Sequence, residues 1–283
     1  MKSSIQKILN LAVQNEFLWK VLNSTIIPIA RYAEFAKAEQ DKATVDFEAV
    51  ARSISPDLTV KHGPFHGMQY PASKAFRQHW CPNRLLGSYE QEIAPALEKI
   101  CAKDYTEIIN IGCGEGYYAV GLAMRIGTAN IFAYDVNKNA IQCCKKMAQI
   151  NHVSERIQTG YFCSRAVLES IPLTKKALIF SDCEGYEKEL FTKESASRFR
   201  EHDLLIEVHD FVDIEISSYL SNLFAETHDI ESYQSVDDIK KAQNYSYPEL
   251  ESFSLAERKA ILTEARPAIM EWLYFTARAP HPA

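Results

Sequence analysis

The alternation of apolar and polar positions changes character near Tyr105. Upstream, from Ser4 to Ala38, Ile5, Ile8, Leu9, Ala12, Phe17, Leu18 and Leu22 recur every three or four residues, which predicts two amphipathic helices with a break at Pro28. TVKHGPFHGMQY, Thr59 to Tyr70, is too rich in glycine, histidine and aromatics for a simple spacer and reads as a loop or irregular hairpin, with PASKAF leading toward a short helix. A further helix is expected after Gly87, opened by a Ser88/Gln91 capping box and carrying Ile93, Leu97 and Ile100 on its apolar side.

From Tyr105 onward, short apolar runs alternate with amphipathic segments. EIINI, NIFAYD, RIQTG, KALIFSD and DLLIEVHD read as strands, and Tyr118–Arg125, Lys138–Ile150, Cys163–Ser170 and Glu187–Arg198 as the helices between them. Ile216–Phe224 continues as a helix, HDIESYQS as a sixth strand and EWLYFTA as the last, with Asp237–Pro267 forming an excursion over the sheet. The expected fold is α/β, a doubly wound, mostly parallel sheet, with an N-terminal helical and loop cap over residues 1–104 and a sheet domain over 105–283.

At 283 residues, 47% of them hydrophobic, the chain can bury a large core without a staple. A net charge of -6 offers no general pull toward polyanions, so nucleic acid is a poor partner. Seven cysteines, an odd number, fit free thiols in a reducing compartment. The polar residues interrupting the first twenty positions argue against a signal peptide, and no stretch approaches a membrane span, so the expected location is the cytoplasm. The amphipathic N-terminal face lacks a basic excess; packing, including homodimer formation, explains it better than a membrane surface.

The chemistry begins at NIGCGEGYY, Asn110 to Tyr118, between a strand and a helix. Gly112 permits the turn, Gly114 lets a ligand approach the backbone, and Gly116 lets the helix start close to the sheet. A dinucleotide loop usually spaces its last glycine one residue further, and acidic Glu115 would face the phosphates. S-adenosylmethionine has no phosphate and carries a positive sulfonium, so it suits this loop better. The next strand ends at Asp135, whose carboxylate can accept hydrogen bonds from both ribose hydroxyls, while Val136 and Asn137 can line the adenine. Asn137 has an ordinary alternative as a helix N-cap.

On NIGCGEGYY, YDVN and the strand order to Ala277, the sequence resembles the class I S-adenosylmethionine-dependent methyltransferases. On SDCEGYEKELF, Ser181 to Phe191, with GPFHGMQYP and LLGSYEQE upstream, it resembles more narrowly the FkbM-like family. The resemblance implies a Rossmann-like, seven-stranded sheet with a reversed last strand and methyl transfer from S-adenosylmethionine, commonly to oxygen on sugars or small natural products. It also marks Asn110 and Cys113 as members of the cofactor loop. Two departures stand out: Asn110 occupies a position that is often acidic in the superfamily, and GYFC after the third strand offers no acid for the adenine. Glu115 or LLGSYEQE, through Glu90, is then the candidate holder of the cofactor's amino end.

The fourth strand delivers Asp182 and Glu184, and the fifth Glu207 and His209, to the carboxyl edge that also carries the glycine loop. His209 is the natural general base for a hydroxyl acceptor, with Glu207 or Asp182 orienting it; a structural role as a strand-end residue is the alternative. The same carboxylates suit a divalent cation, a reading ranked below metal-free transfer. His62 and His66 fit a substrate-side lid with Phe65, Met68 and Tyr70 better than a metal site, and Cys113 and Cys183 fit as space-fillers. The expected activity is O-methylation of a small-molecule or sugar acceptor. A nicotinamide-dependent oxidoreductase and a non-catalytic S-adenosylmethionine-binding regulator are the alternatives. Nucleic-acid methylation ranks lower, because Asp182 to Tyr186 lacks an Asn-Pro-Pro-Tyr-like platform.

Overall fold

The strand runs seen in the sequence assemble into one seven-stranded sheet, ordered β3-β2-β1-β4-β5-β7-β6 in a computed structural model that describes residues 45–73, 76 and 79–279. The two helices expected between Ser4 and Ala38 lie outside the described residues, as do Lys74 and Ala75 of PASKAF. The strands are β1 (Glu107–Ile111), β2 (Asn130–Tyr134), β3 (Ile157–Gly160), β4 (Ala177–Ser181), β5 (Asp203–Val208), β6 (His228–Gln234) and β7 (Glu271–Ala277). β1 to β5 pair in parallel, and β7 enters antiparallel between β5 and β6, with Glu207 opposite Trp272. This is the Rossmann-like class I methyltransferase arrangement with its reversed last strand.

β1, β4 and β5 are buried at every position, because helices cover both faces of a parallel sheet and leave no polar side. One face holds α4 (Tyr117–Arg125) and α5 (Lys138–Ile150); the other holds α6 (Arg165–Ser170), α7 (Glu187–Leu190), α8 (Lys193–Phe199) and α9 (Ile216–Phe224). The expected single helix Glu187–Arg198 is two, since Thr192 caps α8 with its own hydroxyl and ends the first.

Preceding the sheet are α1 (Phe47–Ile54), α2 (Pro82–Leu86) and α3 (Ala94–Cys101). Leu58, Phe65, Tyr70, Ile93 and Leu97 share a core with Ile108, Ile131 and Phe180, and from Phe47 onward the described residues form one compact unit. Thr59 bridges Gln69 in the expected irregular hairpin. The Ser88/Gln91 capping box does not form: the Ser88 hydroxyl donates to the Asn83 carbonyl, and the chain turns at Glu90, φ 47°, into a short 3-10 segment before α3. The excursion carries α10 (Asp238–Asn244) and α11 (Leu255–Leu262), and returns through Glu264 to Pro267 over the carboxyl ends of the strands. Among the described residues, no helix is long and apolar enough to cross a membrane.

Candidate functional site

The glycine loop owes its path to three left-handed residues. At Gly112, φ 76°, a Cβ would stand 1.7 Å from the Asp182 carbonyl oxygen, so the loop can lie on the end of β4 only without a side chain. At Gly114, φ 53°, nothing lies within 4 Å of that position, and the residue opens onto a cavity of about 340 Å³. Gly116 sits 3.0 Å, by the same measure, from the Cys144 sulfur on α5, so its smallness brings two helices together rather than helix and sheet.

Asp135 closes one side of this cavity. Its carboxylate accepts the Gly114 N–H at 2.8 Å and the Asn137 N–H at 2.7 Å, which fixes it at the tip of β2 with lone pairs to spare. Val136, 75% exposed, lines the same cavity. The Asn137 side chain accepts the Asn139 N–H at 2.9 Å as N-cap of α5, the ordinary role foreseen for it. Tyr161 and Phe162, exposed aromatics after β3, face Val136 across the opening, and Phe162 packs on Tyr186 at 5.6 Å between centroids. GYFC, which offers no acid, instead sets two aromatic rings in the cavity lining, a signal present in the sequence as two adjacent aromatics at a strand end.

Glu115 does not face this cavity. The left-handed turns on either side of it send its side chain inward, where Arg84 pairs with it at 2.7 Å and the Tyr70 hydroxyl donates at 3.4 Å. Its charge therefore says nothing against phosphates. The cavity lining itself does: among the described residues it carries Asp135, Asp182 and Glu184 and no lysine or arginine. Asn110 and Cys113 are also buried away from the cavity lining. Both amide atoms of Asn110 lack a hydrogen-bond partner, and the Cys113 thiol donates to the Gly114 carbonyl at 3.7 Å.

A second cavity, of about 230 Å³, shares Asp182 and Glu184 with the first and adds Glu90, Glu207, His209, Phe211 and Arg266. All four strand-end residues expected to converge are here. His209, 1% exposed, is oriented by neither Glu207 nor Asp182 but by Glu187, fully buried, whose carboxylate lies 2.5 Å from Nδ1. Its Nε2 faces Asp182 at 3.5 Å, Glu184 at 3.5 Å and Glu207 at 3.9 Å. Burial works against the imidazolium, but the Glu187 hydrogen bond and the surrounding carboxylates outweigh it and raise the pKa. Burial, with Glu207 and Glu90 nearby, holds the Asp182 carboxyl well above its ordinary range.

Glu90 lies on this side, not in the first cavity. It accepts from the Tyr118 hydroxyl and pairs with Arg266, and burial, reinforced by Glu207, raises its pKa to about 8. Arg266 also pairs with Glu207 and, at 2.8 Å, with Glu264, which in turn pairs with the buried Lys241. Arg266 and Glu187, like Tyr161 and Phe162 in the first cavity, are residues the sequence reading missed. Nothing local marks Arg266 as part of the cavity: Glu264 is two positions away, but Glu90 and Glu207, which tie it to the cavity, stand 176 and 59 positions away.

Comparison with known proteins matches residues 94–180 to the family model of the ribosomal protein L11 methyltransferases. The release factor glutamine methyltransferase of Chlorobaculum tepidum is 31% identical over 102 residues, which are 32% of this chain and 35% of that protein. The chain thus spans about a third of the length of the curated relative it matches. Among solved structures, the precorrin-6y C5,15-methyltransferase of Geobacter metallireducens aligns with a TM-score of 0.45 at 12% identity, covering 64% of this chain and 85% of that one. An rRNA methylase of Streptococcus thermophilus aligns with the same score and identity over 66% and 97%. The family model and the curated relative that match, of ribosomal protein L11 and release factor glutamine methyltransferases, correct the narrower resemblance to the FkbM-like family.

Proposed function

We propose that this protein is an S-adenosylmethionine-dependent methyltransferase that acts on a hydroxyl of a small molecule or sugar. The observation that carries the reading is the first cavity: an open face at Gly114, a fixed acceptor at Asp135, aromatic rings in the lining, and carboxylates with no basic residue among the described residues that line it. The family match over residues 94–180 covers this cofactor side and supports the cofactor, not the acceptor.

The residues fit the cofactor group by group. Asp135 keeps lone pairs for the ribose hydroxyls, Val136 and the Tyr161/Phe162 pair offer apolar walls to the adenine, and Asp182 and Glu184 suit a cationic centre. When bound, the sulfonium supplies an activated methyl group and leaves as a neutral thioether. The chain's own part is to hold an acceptor in the adjoining cavity and to take up its proton. In the metal-free protein that proton goes to His209 Nε2, with Glu187 holding the ring by Nδ1.

Calorimetry with S-adenosylmethionine, its demethylated product and NAD tests the reading. Micromolar binding of the first two with no NAD response is expected. Tight NAD binding without any response to the other two would sink it.

A further inference from the structure

The contacts of His209 Nε2 do not have the geometry of hydrogen bonds. Its three carboxylate neighbours stand at 3.5, 3.5 and 3.9 Å, beyond the roughly 2.7–3.2 Å of an N–H···O bond, and one of their oxygens, Asp182 Oδ1, is buried without a hydrogen-bond donor among the described residues. One ligand atom each from Asp182, Glu207 and His209 falls within 4.8 Å of the others. Ligands held at about 2.0–2.1 Å from one small divalent ion are separated by roughly 3.0–3.4 Å along an edge, so side-chain movements of at most about 1–2 Å close this set around such an ion.

Two further contacts orient the members of that cluster. The opposite ring nitrogen is anchored at 2.5 Å by Glu187, which is fully buried, the arrangement by which an outer carboxylate orients a metal-bound imidazole. The second oxygen of Glu207 is held by Arg266, which leaves Oε2 facing His209. Three carboxylates around one ring nitrogen, none within hydrogen-bond distance of it, leave a gap that a cation bound to all of them would fill.

We infer that Asp182, Glu207 and His209 bind a divalent first-row ion at the wall between the two cavities. The imidazole favours Zn²⁺ over Mg²⁺ and Ca²⁺, and the two carboxylates also suit Mn²⁺. The inference deepens the proposed methyltransferase and rests on it for its chemical consequence. With the ion bound, His209 is a ligand rather than the base. The ion lowers the pKa of a bound hydroxyl, and Glu184, whose side chain is 80% exposed, takes the proton. The oxygen then forms its bond to the methyl carbon as the carbon–sulfur bond breaks.

The test is titration of the full chain with Mn²⁺, followed by calorimetry and electron paramagnetic resonance, with Zn²⁺ as competitor. We expect one Mn²⁺ per chain with a nitrogen hyperfine coupling from the imidazole. Asp182→Asn and His209→Gln should each weaken binding at least tenfold, and Glu187→Gln about tenfold through the ring's orientation, with melting temperatures checking that each variant folds. Absence of saturable Mn²⁺ and Zn²⁺ binding, or binding without nitrogen coupling, overturns the inference; the second result holds whether or not the variants fold. Calorimetry with S-adenosylmethionine on the same preparation separates the two readings. Cofactor binding without metal binding removes only the ion; metal binding without cofactor binding removes the methyltransferase.

Discussion

Replacing Gly112 and Gly114 in turn by alanine separates what the glycine loop does for the fold from what it does for a ligand. At Gly112 the new methyl would stand 1.7 Å from the Asp182 carbonyl oxygen, where ordinary contact begins at 3.4 Å, and both atoms belong to rigid backbone. The ends of β1 and β4 must then part by more than an ångström, at a cost of about 3–5 kcal/mol. For a unit of this size that lowers the melting temperature by about 6–20 °C. At Gly114 no atom stands within 4 Å, so the fold bears only the left-handed backbone, φ 53°, at about 1–2 kcal/mol. The added methyl projects where the cofactor would pack, and overpacking of about 1–3 kcal/mol corresponds to about 5- to 150-fold in Kd. Thermal unfolding and calorimetry with the demethylated cofactor measure the two effects on the same samples. The reasoning fails if folded Gly114→Ala binds that ligand as tightly as the wild type, or if Gly112→Ala melts where the wild type does.

Two other outcomes follow from the site. Glu90 holds its proton in the folded chain up to about pH 8 and releases it near 4.5 when unfolded, so its contribution to stability is complete below 4.5 and drains away up to 8. Relative to Glu90→Gln, wild-type stability should fall by at most about 1.4 kcal/mol per pH unit across that window and level off above it; a difference in urea-unfolding energies independent of pH would refute this. Asn137→Ala should cost about 1 kcal/mol through the lost helix cap while leaving cofactor affinity within about threefold, whereas Asp135→Ala should weaken it at least tenfold. Equal effects on affinity would show that Asp135 only shapes the loop.

The seven strands and their order of appearance were legible because the central strands β1, β4 and β5 are short, mostly apolar and fully buried runs and the helices between the strands keep one apolar face. The convergence of Asp182, Glu184, Glu207 and His209 was legible for a related reason: consecutive parallel strands all deliver their last residues to one edge. Direction within that edge was not. Glu115 reads as a loop acid, yet left-handed glycines on either side turn it toward Arg84, 31 positions upstream. Glu187 reads as the first residue of a helix and becomes the partner of His209 only because the left-handed pair Glu184 and Gly185 folds the loop back.

By itself, then, the sequence determined the architecture, the glycine loop and the set of acids at its rim, all of which follow from periodicity and strand polarity along a local stretch of chain. Tertiary structure alone decided which acids face which cavity, that Arg266 returns from the excursion to pair with Glu90 and Glu207, and that Glu187 rather than its neighbours holds His209. Those pairings depend on the rotation of single side chains and on long connections closing over the sheet, and neither leaves a periodic trace in the chain.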